Sequence, residues 1–304
     1  MLPTTELDLM QVQDVLEQLE QAVWHHNQWL MDWHRAIICK VPLDQKHMMD
    51  NAYRHCEFGE WYYSKKDSFL NKFEEFEKIE FLHITMHTIA RLLILKTIEN
   101  EFLSLVEYDA FLKWRTEFRE TIVMLEKKLR QILLYTDPLT RIANRHQMIP
   151  TLYKYRDQKR DIVVCMSDLD HFKKINDTYG HTIGDYVLTA VAKFLVNHLR
   201  PLDIIFRYGG EEFLILLTDI DLEICINVVD RLRSVLAKHM ISIDPHTSLC
   251  VTASFGLVQL DHAIDVEEII AQADQALYTA KETGRNRVCY KIDQGIQCIN
   301  LKTE

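Results

Sequence analysis

Arg207-Tyr-Gly-Gly-Glu-Glu-Phe213 (RYGGEEF) stands between two apolar runs, Ile204-Ile-Phe206 and Leu214-Ile-Leu-Leu217. Strand-length runs on either side of Gly209-Gly210 read as a β-hairpin, because glycine supplies the positive φ of a tight turn. Taken alone, a surface turn decorated with two acids explains the stretch as well. The segment upstream changes the weighting. Asp161-Ile-Val-Val-Cys-Met-Ser-Asp168 is an apolar run ending in acid, followed by Leu169-Asp170. Beyond residue 140, strand-like runs at 161–168, 202–208, 213–218, 251–259 and 286–291 alternate with helical segments at about 141–155, 183–199, 221–239 and 265–283. The order βαββαβ predicts a ferredoxin-like or polymerase-palm sheet. In such a sheet the strand ending at Asp168 lies beside the second strand of the hairpin.

With Asp168 and Asp170 at the strand end and Glu211 at the turn, at least two carboxylates converge, and carboxylates held together repel unless a proton or a metal intervenes. Hard oxygen ligands of this kind suit Mg²⁺, or Mn²⁺, with substrate phosphates completing the shell. Lys173 and Lys174 follow the acids, and Lys281 and Arg285 lie at a helix end, so cations for a triphosphate are at hand. Asn176 and Asp185 offer the donor and acceptor groups that match the edge of guanine. Neither a P-loop nor a GxGxxG fingerprint occurs, so nucleotide binding has to be metal-centred and the chemistry phosphoryl transfer.

The first half reads differently. From Leu43 to Asp137 there is one Gly and no Pro, which predicts long helices at about 5–39, 66–80, 80–105 and 108–135 in an antiparallel four-helix bundle. Phe118, Ile122, Leu125, Leu129 and Ile132 form a short heptad seam, suited either to the bundle or to pairing with a second copy, with a stalk expected from Leu129 onward. His83 and His87 are i and i+4 on one helix face, a spacing that suits two ligands of one metal as well as ordinary packing. With His26 and Cys56 they offer a His₃Cys set for Zn²⁺ or another late transition metal, with His25, His34, His55 and Cys39 nearby.

At 304 residues, with 48% hydrophobic content and a net charge of -10, the chain is large enough for two cores and unsuited to nonspecific binding of nucleic acid or anionic membrane. No apolar run approaches the ~18 residues of a membrane span, and MLPTTELDLM lacks a signal-peptide pattern. Seven scattered cysteines suggest thiols or metal ligands rather than a disulfide framework, and with it a cytoplasmic location.

Residues 137–292 resemble a diguanylate cyclase (GGDEF) domain: DPLT, DLDHFKKINDTYGHTIGD, RYGGEEF and AKETGRNR occur in order at the family's spacing. Residues 10–130 resemble the chemoreceptor zinc-binding domain through HNQW at His26, CEFGEW at Cys56 and HITMH at His83. The resemblance implies a zinc-binding regulatory domain (1–130), a helical stalk (126–137) and a cyclase domain (137–295) that joins two GTP into cyclic di-GMP. It implies metal ligation by Asp168, the carbonyl of Leu169 and Glu211, assistance by Glu212 to the attacking 3′-hydroxyl, and charge stabilisation by Lys173. Guanine recognition by Asn176, His181 and Asp185, and phosphate binding by Lys281 and Arg285, are implied likewise. Arg200-Pro-Leu-Asp203 matches an RxxD product-inhibition site, which as a bare motif also fits a loop ion pair. A product with two equivalent phosphodiesters, made by sites holding one GTP each, implies a homodimer. Zinc is expected to inhibit by holding the two cyclase domains out of productive register, with structural zinc as the alternative. A catalytically silent GGDEF domain that only binds GTP or cyclic di-GMP is the rival reading. Arg141 stands where the family usually has Gly, at the joint after the stalk.

Overall fold

A computed structural model describes residues 8–299; the start of the helix expected from residue 5 and most of MLPTTELDLM lie outside them. The chain divides into a helical unit ending at Leu134 and a mixed unit beginning at Tyr135.

The helical unit contains α1 (Leu9–Cys39), the short α2 (Ala52–His55) and α3 (Glu57–Ser64), and the long α4 (Glu74–Ile98) and α5 (Leu105–Tyr135). Its core follows from spacing. Val12, Val15, Leu19, Ala22, His26, Trp29 and Trp33 fall three or four residues apart on α1 and are buried. Phe76, Ile79, His83, Met86, His87 and Ala90 make the matching stripe on α4. Trp33 Nε1 donates to the Ala90 carbonyl at 2.9 Å and ties the two helices together.

Three expectations are corrected here. The helix expected at 66–80 does not form as such: a 3-10 turn at Phe69–Lys72 leads to an extended Phe73 before α4 begins. The Ser68 hydroxyl accepts from Leu70 N at 3.3 Å, and Leu70 and Phe73 turn inward, so a local side-chain bond and burial outweigh helix propensity. The α5 seam is internal for its first four positions: Phe118, Ile122, Leu125 and Leu129 are buried within the chain while Ile132 is half-buried, so the helix has not yet left the bundle at Leu129. Finally, α4 is by length and composition apolar enough to cross a bilayer. Its buried stripe carries two histidines among the core residues, as a bundle's central helix would.

The mixed unit runs β1 (Ala143–Asn144), α6 (Arg145–Asp157), β2 (Ile162–Leu169), α7 (Phe172–Tyr179), α8 (His181–His198), β3 (Ile204–Gly209) and β4 (Glu212–Thr218). It continues through α9 (Leu222–Leu236), β5 (Met240–Asp244), β6 (Thr247–Cys250), β7 (Ala253–Gln259), α10 (Val266–Glu282), β8 (Val288–Ile292) and β9 (Gly295–Cys298). Among the described residues the main sheet has the order β1-β3-β4-β2-β7-β8-β9. All eight residues of β2 are buried, because helices cover both faces of the sheet. Val163 and Cys165 join the core with Val187 and Val191 of α8 and Val229 of α9. Val164 and Met166 face the other core, with Leu152 of α6 and Ala273 of α10. The pairing of β2 with β4 is the one expected from βαββαβ order. The β5–β6 hairpin and β9 are additions. They also correct the cysteine reading: β8 and β9 put Cys289 opposite Cys298 with their Cα atoms 3.9 Å apart, and the two form a disulfide.

Candidate active site and metal centre

The end of β2 and the β3–β4 hairpin build one corner of the sheet. Asp168 pairs with Glu212 in register, and Leu169 N donates to the Glu211 carbonyl at 3.3 Å. Gly210 takes φ 49° in the turn, and a Cβ placed on Gly209 or Gly210 would meet no protein atom within 4 Å. The protein's own packing therefore does not demand Gly209, and the backbone there is open to a close-lying ligand. Lys281 Nζ contacts Asp168 Oδ2 at 2.7 Å. Burial raises the Asp168 carboxyl above the usual range, with Glu211 and Asp170 adding repulsion that Lys281 offsets in part. Glu212 is raised too, by burial first and by Asp168 second. Carboxylates held this way carry more negative charge than one ammonium balances, which fits a divalent cation.

Asp170 does not share that role, contrary to the grouping made from sequence. The strand ends at Leu169, His171 adopts a left-handed φ of 59°, and the Asp170 carboxylate turns inward. It accepts from Thr252 Oγ1 and Ser254 Oγ, both at 2.7 Å, and from Asn286 N at 2.9 Å. Its partners lie just before or within β7 and in the turn after α10 where Arg285 and Asn286 take φ 61° and 43°. Asp170 is thus the fastening of the loop that presents Arg285.

Lys173 and Asn176 lie on α7, His181 and Asp185 on α8, with Lys173, His181 and Asp185 exposed. Gly184 is where these helices meet: a Cβ there would lie 1.9 Å from Asn176 Oδ1. Arg200 and Asp203 lie in the loop before β3. The Asp203 carboxylate accepts from Arg200 N at 3.0 Å and Thr218 N at 3.2 Å, so it is positioned by backbone bonds, and no Arg200–Asp203 side-chain pair is formed. Sequence reasoning missed Arg207. Its guanidinium donates to Gly210 O at 2.9 Å and to Asp137 at 3.0 Å, fastening the turn to the residue two places after α5. Between them, Arg141 adopts φ 61° and its N donates to the Asp137 carbonyl at 2.9 Å. The turn normally served by Gly is formed here by a residue that bears about 1–2 kcal/mol of left-handed strain.

In the helical unit, His26, Cys56, His83 and His87 bring one ligand atom each to within 4.8 Å of one another. All four are at most 5% exposed. Cys56 caps α3, its Sγ accepting from Gly59 N at 3.3 Å and lying 3.3 Å from His83 Nε2. Gly59 is required there, since a Cβ would lie 1.9 Å from the Tyr53 carbonyl oxygen. Trp29, three residues after His26, stacks on His87 at 4.1 Å. Phe118 of α5 packs against His26 and His83, each at 5.2 Å between ring centres. Burial lowers His26 to about 3 and drives His83 and His87 well below the usual imidazole value, while it pushes the Cys56 thiol up to about 12. His26 Nε2 and both nitrogens of His87 are buried without a hydrogen-bond partner. Each such atom costs about 1–3 kcal/mol when left unsatisfied, and a metal ion removes that cost for the one nitrogen of each imidazole that ligates it. Three neutral imidazoles and a thiol in tetrahedral number fit Zn²⁺.

The helix-covered sheet with its carboxylate corner fits a palm-like catalytic domain, and the helical unit that precedes it in sequence carries a His₃Cys set that fits a metal ion. Residues 134–287 match the family described as diguanylate cyclase, GGDEF domain, and residues 26–94 match the chemoreceptor zinc-binding domain. The chain belongs to the diguanylate cyclase GGDEF family. It is 29% identical to diguanylate cyclase DgcZ of Escherichia coli over 294 residues, 96% of each protein. A solved structure of the diguanylate cyclase SiaD with its activator SiaC, from Pseudomonas aeruginosa, matches at 26% identity and TM-score 0.54, over 80% of this chain and 95% of that one. The coiled coil and GGDEF domain of DgcB from Caulobacter crescentus, in complex with c-di-GMP, match at 27% identity and TM-score 0.52, over 60% and 99% respectively.

Proposed function

We propose that the protein condenses two GTP into cyclic di-GMP with release of two pyrophosphates, and that zinc in the helical unit controls the reaction. The observation that carries the catalytic half is the corner formed by Asp168, Glu211 and Glu212 beneath an open Gly209-Gly210 turn. Asp168, the Leu169 carbonyl and Glu211 would hold Mg²⁺ or Mn²⁺, which polarises the α-phosphate and neutralises the departing pyrophosphate when bound. Glu212, its pKa raised, is suited to receive the proton of the attacking 3′-hydroxyl. Lys281 gives up its bond to Asp168 and turns to phosphate, with Arg285 beside it on the turn that Asp170 fastens. Lys173 steadies charge on the transferring group. Asn176, His181 and Asp185 read the guanine, Asn176 being seated against Gly184.

One site holds one GTP, so two chains face each other in a homodimer. Phe118 to Leu129 of the α5 seam are used internally, which leaves the end of α5 and other surfaces for the dimer contact. Arg200 and Asp203 form the grip for product feedback, with Asp203 already set by its two backbone bonds. Zn²⁺ at His26, Cys56, His83 and His87 would crosslink α1, α3 and α4. Phe118 couples that centre to α5, and zinc inhibits by fixing α5.

Incubation of the purified protein with GTP or ATP and Mg²⁺, with products resolved, tests the catalytic reading. Cyclic di-GMP and pyrophosphate are expected from GTP alone, and not from Glu212→Gln. Retained GTP binding without product in the unsubstituted protein would establish the silent receptor instead.

A further inference from the structure

The four candidate zinc ligands are at most 5% exposed, so a hydrated ion cannot reach them directly. Two cavities touch His26 from different sides. One, of about 180 Å³, lies between α1 and α5 and is bordered by Arg115, Arg119 and Glu126 with Phe118 and Ile122. A cation there meets two guanidiniums against one carboxylate and a largely apolar wall. The other, of about 170 Å³, has His26 and Cys56 at its floor and His25, His47, His55, Asp32 and Glu57 around it. Lys46 is the one cation lining this second cavity, and it lies 4.0 Å from Asp44.

We propose that the second cavity is a vestibule through which a divalent transition-metal ion passes to and from the buried centre, carried by exposed imidazoles and carboxylates. The proposal rests on the zinc reading of His26, Cys56, His83 and His87. Moving a bare dication into an apolar interior is prohibitive, but exchanging its water ligands one at a time for nitrogen and oxygen donors is not. His25 and His55 are exposed at the rim. His25 Nδ1 is bonded to Glu57 Oε2 at 2.5 Å, the arrangement by which a carboxylate orients an imidazole and raises its basicity for metal at the other nitrogen. Deeper in, His47 Nδ1 is shut from water with no hydrogen-bond partner, and its ring lies 6.2 Å from Trp29, which stacks on His87. Rim, interior and floor thus present metal-binding atoms in sequence.

The test measures Zn²⁺ transfer between the full-length protein and a chromophoric chelator by stopped flow, in both directions, alongside equilibrium affinity. His25→Ala/His55→Ala alters exposed residues. It is expected to slow uptake and release together by about tenfold, while affinity stays within about twofold, because outer-shell groups that orient ligands are left in place at the centre itself. Arg119→Ala, on the opposite cavity, is expected to leave both rates unchanged. Unchanged rates in the double variant, or faster uptake in Arg119→Ala, would overturn the vestibule. A fall in affinity with no change in uptake would also overturn it, since that marks the residues as ligands. Cys56→Ala separates the underlying reading: one tightly bound zinc per chain retained in that variant would sink the four-residue centre itself.

Discussion

At the scale of single residues, the site sorts its carboxylates by their surroundings. Asp168 is raised by burial, so its ionised form is disfavoured in the folded chain. The sign follows: above its raised pKa the charge costs stability, and that cost fades as pH falls toward the ordinary carboxylate range. Asp168→Asn is therefore expected to abolish cyclic di-GMP formation while raising the melting temperature at neutral pH, a trade of stability for function that thermal unfolding with an activity assay checks. Asp170 is instead held in place by three donors that converge on it. Asp170→Ala is expected to cost at least ~3 kcal/mol, at about 1.5–3 kcal/mol for each hydrogen bond to a charged group, and to raise KM for GTP by freeing the Arg285 turn. Denaturant unfolding and steady-state kinetics read the two effects. The sequence shows both acids two residues apart and cannot separate them. The left-handed turn at His171 that divides their roles has no glycine to announce it.

At the scale of elements, the parts that were legible are those where pattern and packing agree. Apolar runs gave β2, β3, β4 and β7, and the Gly-Gly pair gave the hairpin, because strands covered on both faces must read as continuous apolar runs. The β5–β6 hairpin was missed, since every residue of its strands except Ile241 is exposed or half-exposed and no apolar run marks it. The Cys289–Cys298 pair was missed because its partners meet across a hairpin whose second strand is itself short and half-exposed. The α5 seam was ambiguous for a physical reason: heptad spacing serves a bundle core and a second chain alike. The Cys56-Glu-Phe-Gly59 turn holds its metal ligand through a close approach that allows no side chain at Gly59. Gly59→Ala is expected to displace α3 from the Tyr53 carbonyl and to lower zinc affinity by at least about tenfold, a loss typical of misoriented ligands. Competition with a chelator measures it, and unchanged affinity would mean that α3 does not position Cys56.

At the scale of the whole molecule, α5 is the stretch of chain that joins the two units. Its Phe118 packs against two imidazoles of the candidate zinc site, α5 runs to Tyr135, and Asp137 two residues later is bound by Arg207, which also holds the Gly210 carbonyl. Arg207→Ala is expected to reduce kcat more than it raises KM, because it loosens the turn that leads into Glu211 and Glu212 rather than removing a substrate contact. The same continuity makes zinc control a testable property of the full chain, and distinguishes it from zinc that merely holds the bundle together. The decisive measurement is cyclic di-GMP formation from GTP by the full-length protein across a buffered zinc series, run beside Cys56→Ala. Output is expected to fall as zinc rises in the unsubstituted protein and to stay high and flat in the variant. Output that is indifferent to zinc while the ion binds tightly, or that collapses on chelation as the helical unit melts, would contradict zinc inhibition and leave the metal a structural role.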